Sequence, residues 1–231
     1  MRARSADTGL SLQAVLFDMD GTLVDTEPYW IAAEYALVES FGGTWNDAHA
    51  HALVGNALLV SAEYIREHGG VDLEPPVIVE RLLDEVIRAA LLEMPWQPGA
   101  LDLVQELRDH DVPCAMVTMS YERLASTLTD QLASGTFTTV VTGDQLHDGK
   151  PHPEAYLTAA ARLGVDPAYC VAIEDSPTGI ASAEAAGCVV VAVPHTVPIE
   201  PGPLRTVVGS LTDLSLARLE ALVRGRAVRT A

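Results

Sequence analysis

The sequence predicts an α/β protein: a parallel sheet covered on both faces, with a block of helices inserted directly after the first strand. Three observations carry this. Short apolar runs recur at 14–17, 112–118, 137–143, 169–175 and 188–193, each of the length and composition of a strand buried on both faces. Helical patterns precede each of the last four, starting near Pro98, Tyr121, Pro153 and Pro177, and strands alternating with helices build parallel βαβ units. Residues 28 to about 96 show helical periodicity with no convincing strand.

In chain order, "AVLF" forms the first strand and Gly21-Thr22 a tight turn just past it. The helical block follows as "YWIAAEYALVESFGG", "ALLVSAEYIREHGG" and "PPVIVERLLDEVIRAALLE". "MPWQPGA", rich in Pro and Gly, is the hinge back to the sheet. Expected boundaries are therefore 11–27 with 97–231 for a catalytic core and 28–96 for a helical cap, placed over the strand tips as a lid. Several later helices start with Pro near the first turn, where its missing N–H does no harm. The ends, about 1–10 and 225–231, are small, polar or basic, and are expected to fray.

The chain of 231 residues carries a formal charge of −18 and is 48% hydrophobic. Such a chain buries a sizeable core. The charge argues against nucleic acid or an anionic membrane as partner, because both require clustered Lys and Arg. No apolar run approaches a membrane span, and "MRARSADTGL" lacks the apolar core of a signal peptide, so a cytoplasmic protein is expected. Cys114, Cys170 and Cys188 sit in separate strand-like runs and are expected as small core residues. His49 and His51, two apart, do not share a helix face. The oligomeric state is left open; a monomer is compatible.

The chemistry concentrates at strand ends. Asp18, Asp20, Asp25 and Glu27 crowd within ten positions after the first run, and close carboxylates repel unless a cation neutralises them or one holds a proton. A solvated acidic turn is the plain alternative. In a parallel α/β sheet, however, ligands bind at the carboxyl ends of strands where the chain order reverses. Those ends offer Asp18-Met19-Asp20, Thr118-Met119-Ser120 and Glu174-Asp175-Ser176, with Lys150 in "GDQLHDGKPHPEAY". Carboxylates for a hard cation, hydroxyls and one ammonium suit phosphoryl transfer with Mg²⁺. Thr118, neighbouring backbone N–H groups such as that of Met119, and Lys150 are placed to hold phosphoryl oxygens. One aspartate can attack phosphorus, giving an aspartyl phosphate, and the aspartate two residues on can move the proton. "GDQLHDGK" is not a nucleotide-binding P-loop: its spacing is one residue too long and Pro151 stands where Ser or Thr is required.

"FDMDGTLVDTEP", "VTMS", "GKPHPEAY" and "IEDSPTGIASAEAAG", in that order, resemble the four motifs of the haloacid dehalogenase superfamily. The resemblance covers nearly the whole chain and is to the branch of small-molecule phosphatases and β-phosphoglucomutase. It implies a Rossmann-like parallel-sheet core with an inserted α-helical cap domain. It also implies Asp18 as nucleophile and Mg²⁺ ligand, and Asp20 as general acid/base giving its backbone carbonyl to the metal. Asp175 would be the remaining protein ligand, Glu174 a support of the metal shell, and Thr118 and Lys150 phosphate-binding residues. Dehalogenases of the superfamily lack an acid at the position of Asp20, so its presence favours phosphate chemistry.

A mutase holding a sugar bisphosphate requires a cationic grip in the cap; similar proteins carry a His and an Arg where this chain has Trp30 and Leu58. An apolar pair cannot neutralise a second phosphate, and Arg66, Arg81 and Arg88 suit solvated helix faces. A phosphatase acting on a small phosphate monoester is therefore the expected activity, with a β-phosphoglucomutase-like mutase as the alternative. Tyr29, Trp30 and Asn56 are candidate substrate-facing residues, because an aromatic plane and an amide suit a sugar or similar polar group.

Overall fold

In a computed structural model, residues 11–230 are described, with side chains through 226. Six parallel strands, β1 (Ala14–Phe17), β2 (Cys114–Val117), β3 (Thr139–Val141), β4 (Cys170–Glu174), β5 (Val189–Ala192) and β6 (Arg205–Val207), form one sheet in the order β3-β2-β1-β4-β5-β6. The chain order reverses at β1, which pairs with β2 on one side and β4 on the other. Side chains along a strand point alternately to opposite faces. Val15 and Phe17 accordingly enter one core with Val171 and Ile173, while Ala14 and Leu16 enter the other with Cys170 and Ala172. Two covered faces explain why these strands read as continuous apolar runs.

Helices α1 (Glu27–Ser40), α2 (Asp47–Leu53), α3 (Leu58–Gly69) and α4 (Pro75–Leu92) follow β1 without an intervening strand. The chain leaves and returns side by side: the Asp25 N–H donates to the Pro95 carbonyl at 2.8 Å and the Gln97 N–H to the Leu23 carbonyl at 2.9 Å. Back at the sheet come α5 (Ala100–Asp109), α6 (Glu122–Thr129), α7 (Glu154–Leu163), α8 (Pro177–Ala185) and α9 (Leu216–Thr230). The Ser176 hydroxyl caps α8 by accepting the Gly179 N–H at 3.1 Å, satisfying a backbone donor the helix itself cannot.

Three sequence expectations change. β6 is an additional edge strand; its short, half-exposed "RTV" lacks an apolar run, and it is held by pairing to β5 and by the Arg205 guanidinium, which donates twice to Glu184 at 2.7 Å. α2 is a separate short helix, started by the Asn46 side chain accepting the His49 N–H at 3.2 Å. Residues 225–230, expected to fray, continue α9, whose Leu219 and Val223 are buried in the core. Residues 1–10 and 231, the rest of the expected frayed ends, lie outside the described residues. The three cysteines are buried and unpaired, and no helix among the described residues is long and apolar enough to cross a membrane.

Candidate active site

The order reversal at β1 opens a crevice between the ends of β1, β2 and β4, and each strand delivers its next residues there. β1 delivers Asp18, β2 Thr118, and β4 ends in Glu174 with Asp175 directly after it. Carboxylate oxygens of Asp18, Glu174 and Asp175 all lie within 4.8 Å of one another, and all three residues are buried. Lys150, on the loop after β3, reaches into this group: its ammonium donates to Asp18 Oδ1 and Glu174 Oε1 at 2.6 Å each, and to the Val117 carbonyl at 3.0 Å. Lysine has three protons, and all three are engaged.

Three buried carboxylates against one ammonium leave the cluster under-neutralised. Burial, opposed by Lys150 and reinforced by Glu174, pushes the Asp18 carboxyl up to about 8. Burial and the neighbouring Asp18 and Glu174 likewise hold Asp175 well above the usual carboxylate range. Burial works to lower the Lys150 pKa, but the two carboxylates outweigh it and the ammonium is held more firmly charged than usual. Oxygen donors that repel one another, on rigid strand ends, form a donor set that fits a hard divalent cation.

Neighbouring side chains fix these groups. Glu174 accepts from the Tyr156 hydroxyl at 2.7 Å and from the Ser176 hydroxyl at 3.1 Å, so both its oxygens are oriented. Gly179 lets α8 approach, since a Cβ there would lie 1.9 Å from Glu174 Oε1. Gly21 turns the chain with φ +86°, and a Cβ on it would lie 2.0 Å from Asp175 Oδ2. Only glycine combines that backbone with that approach.

Asp20 stands apart from the three-carboxylate cluster. Its carboxylate accepts from the hydroxyls of Ser120 at 2.7 Å, Thr118 at 3.1 Å, and Thr26. Thr118 in turn accepts the Ser120 N–H at 2.9 Å. Met119 is half-buried and its sulfur accepts the Lys150 N–H at 3.4 Å.

A cavity above the carboxylates is lined from below by Asp18, Asp20, Thr118, Met119, Lys150 and Asp175, and from α1–α4 by Trp30, Asn56 and Leu58 among others. Tyr29 does not line it; its hydroxyl donates to the Glu93 carbonyl at 3.0 Å, beside the returning linker. The helical segment meets the sheet's loops on two sides: a Cβ on Gly55, φ +75°, would lie 3.2 Å from Thr178 Oγ1, and Arg123 of α6 pairs with Glu80 and, at 2.6 Å, Asp84 of α4. Arg66, Arg81 and Arg88 are not among the cavity residues.

Sequence reasoning placed the loops but missed roles that depend on the fold. Tyr156 sits in a quoted motif without a role, yet it is fully buried against Glu174. Glu34, which sequence reasoning did not single out, is 5% exposed and lines the cavity. The signal available for Glu34 was its spacing of seven from Glu27, two turns along one helix face.

The comparisons agree with this geometry. A family model described as haloacid dehalogenase-like hydrolase matches residues 12–187. Hexitol phosphatase B of Escherichia coli strain K12 is 31% identical over 191 residues, covering 81% of this chain and 86% of that protein. The bifunctional riboflavin kinase/FMN phosphatase of Arabidopsis thaliana is 32% identical over 185 residues; the match covers 78% of this chain and 48% of that longer protein. Among solved structures, CbbY of Rhodobacter sphaeroides in complex with xylulose-(1,5)bisphosphate superposes with a TM-score of 0.82 at 25% identity, over 90% of this chain and 99% of the other. The match over 12–187 takes in the three strand-end loops that carry the carboxylates and Lys150, and on it the chain belongs to the haloacid dehalogenase-like hydrolases.

Proposed function

We propose that this chain is a Mg²⁺-dependent phosphatase, of the cytoplasm, that hydrolyses the monoester of a small phosphorylated metabolite. The observation that carries the reading is the convergence of Asp18, Glu174, Asp175 and Lys150 at the β1 end, beneath a cavity roofed by the helical segment 28–96, which acts as a cap. Relatives named as phosphatases support it.

Asp18, Asp175, the backbone carbonyl of Asp20 and, in support, Glu174 would hold Mg²⁺, which when bound supplies the positive charge that offsets the carboxylates and the incoming phosphate. Lys150 braces Asp18 and Glu174 and fixes which way the Asp18 oxygens point. Thr118 and the Met119 backbone border the space for phosphoryl oxygens. An Asp18 oxygen attacks phosphorus, the ester P–O bond breaks, and Asp20 gives its proton to the departing oxygen. Asp20 then takes a proton from water, whose oxygen attacks phosphorus, releasing phosphate and restoring Asp18.

The mutase alternative needs a second phosphate held in the cap. Among the described cavity residues Lys150 is the sole Lys or Arg, and its protons are engaged below. The test is phosphate release from sugar, polyol and nucleotide monophosphates with Mg²⁺ and with EDTA, run beside conversion of β-glucose 1-phosphate to glucose 6-phosphate. Release that EDTA abolishes, without isomerisation, is expected; isomerisation without net release would overturn the reading.

Gly21→Ala sets a second expectation. The added methyl must displace Asp175 or break the turn, and a misplacement near 1 Å at a reacting site costs about 10²-fold in rate. Steady-state phosphate release is expected to fall by about that factor, with partial recovery at raised Mg²⁺.

A further inference from the structure

Glu34 is an unusual cavity residue. It lies on α1, is 5% exposed, and its Oε2 accepts from Trp45 Nε1 at 3.1 Å. Trp45 is itself immobilised: its ring stacks on His49 with centroids 4.7 Å apart and meets Tyr64 edge-on at 6.1 Å, while His49 Nδ1 and the Tyr64 hydroxyl are hydrogen-bonded at 2.9 Å. The carboxylate is therefore held from one side by a rigid donor. Its other oxygen, Oε1, has no hydrogen-bond partner among the described residues, and the cavity is the space that Glu34 lines.

A buried carboxylate with one neutral donor is poorly satisfied. Burial, against the pull of the Trp45 bond and aided by Glu27, pushes the Glu34 carboxyl up to about 7. Glu27 also lines the cavity, and its carboxylate accepts from the Thr196 hydroxyl. With Lys150 engaged at the floor, the upper cavity combines two carboxylates with Trp30, Ile31, Leu58 and Leu82. That wall repels anions and offers an acceptor beside apolar and aromatic faces, the complement of a chain or ring whose C–H and O–H groups alternate.

We infer that Glu34 determines specificity: its open oxygen accepts a hydrogen bond from a hydroxyl of the leaving group, and its carboxyl, in a cavity whose one lysine is engaged at the floor, disfavours esters bearing a second anionic group. The substrate class is thus a neutral, polyhydroxylated alcohol carrying one phosphate. This rests on the phosphatase reading above and deepens it.

The test compares kcat/KM of wild type, Glu34→Gln and Glu34→Asp, with Mg²⁺, on sorbitol 6-phosphate, p-nitrophenyl phosphate, which has no hydroxyl to offer, and 2-phosphoglycolate, which carries a second anion. A hydrogen bond to a charged group corresponds to about 10- to 150-fold. Glu34→Gln is expected to lose about 10-fold or more on sorbitol 6-phosphate, to keep its rate on p-nitrophenyl phosphate within about 2-fold, and to gain on 2-phosphoglycolate. Glu34→Asp, which keeps the charge and withdraws it by one methylene, is expected to lose on the polyol without gaining on the second anion. Equal losses on all three esters, with a lowered melting temperature, would make Glu34 structural and overturn the inference while leaving the phosphatase intact. A wild-type preference for glucosamine 6-phosphate over glucose 6-phosphate, abolished in Glu34→Gln, would overturn the hydroxyl assignment in favour of an ammonium. If wild type releases phosphate from none of the esters, the phosphatase reading itself fails.

Discussion

Asp18→Asn is expected to abolish phosphate release, lowering kcat by at least about 10⁴-fold, the scale on which removal of a nucleophile acts, in a protein that remains folded. The amide keeps the size of the carboxylate and can still accept from Lys150, whose ammonium lies 2.6 Å from Asp18 Oδ1. What is lost is the oxygen proposed as nucleophile and one of the three clustered carboxyl groups. The stability consequence has a definite sign. Burial raises the wild-type Asp18 carboxyl from 3.8 to about 8 in the metal-free protein, so between those values the folded state binds a proton that the unfolded state has released. Stability from this group is therefore present at acid pH and lost as pH rises toward 8. Asn carries no such proton. In EDTA, melting temperatures of Asp18→Asn relative to wild type are expected to be highest at pH 8 and to converge near pH 4. Retained turnover in a preparation free of wild-type protein and of deamidation would remove Asp18 from the nucleophile's role.

Lys150→Met is expected to damage both fold and activity. Lys150 is buried, with Asp18 and the fully buried Glu174 each 2.6 Å from its ammonium. A buried ion pair adds little net stability, because desolvation consumes most of the attraction. Removing one partner is different: the remaining carboxylates keep their burial without compensation, at a cost of about 3–5 kcal/mol. For a domain of this size that corresponds to a fall in melting temperature of roughly 6–20 °C. Mg²⁺ is expected to restore part of the lost stability by supplying positive charge to the same carboxylates, but not turnover. Differential scanning calorimetry with and without Mg²⁺ measures the first and phosphate release the second. A melting temperature equal to wild type in EDTA would show that Lys150 does not compensate these carboxylates.

The two halves of the Lys150 environment were legible to different degrees. That Lys150 belongs with Asp18 and Asp175 follows from position, since the two aspartates directly follow strands, Lys150 lies on the loop after another, and strand ends in a parallel sheet converge. That its protons go to Asp18, Glu174 and the Val117 carbonyl is not in the pattern. It depends on strand order, and on β1 lying between β2 and β4. Tyr29 and Glu34 show the same limit on α1. Both belong to one helix, yet the aromatic chosen as substrate-facing reaches the Glu93 carbonyl, while the glutamate faces the cavity. A helix of even hydropathy around its circumference does not declare which face turns toward the sheet.

By itself, then, the sequence determined the α/β class, the insertion point after β1, and the residues at the strand ends, because periodicity, strand length and turn residues are local and each leaves its mark within a few positions. It did not determine β6, a short polar edge strand held by its neighbour β5 and by the Arg205–Glu184 pair. Nor did it determine the continuation of α9 through Thr230, whose Leu219 and Val223 are seated in the core by contacts distant in sequence. The tertiary structure also decided that Glu34 is anchored by Trp45, with its other oxygen unpartnered among the described residues. These are statements about which groups meet across long sequence separations, and such meetings are settled by packing, which no local pattern encodes.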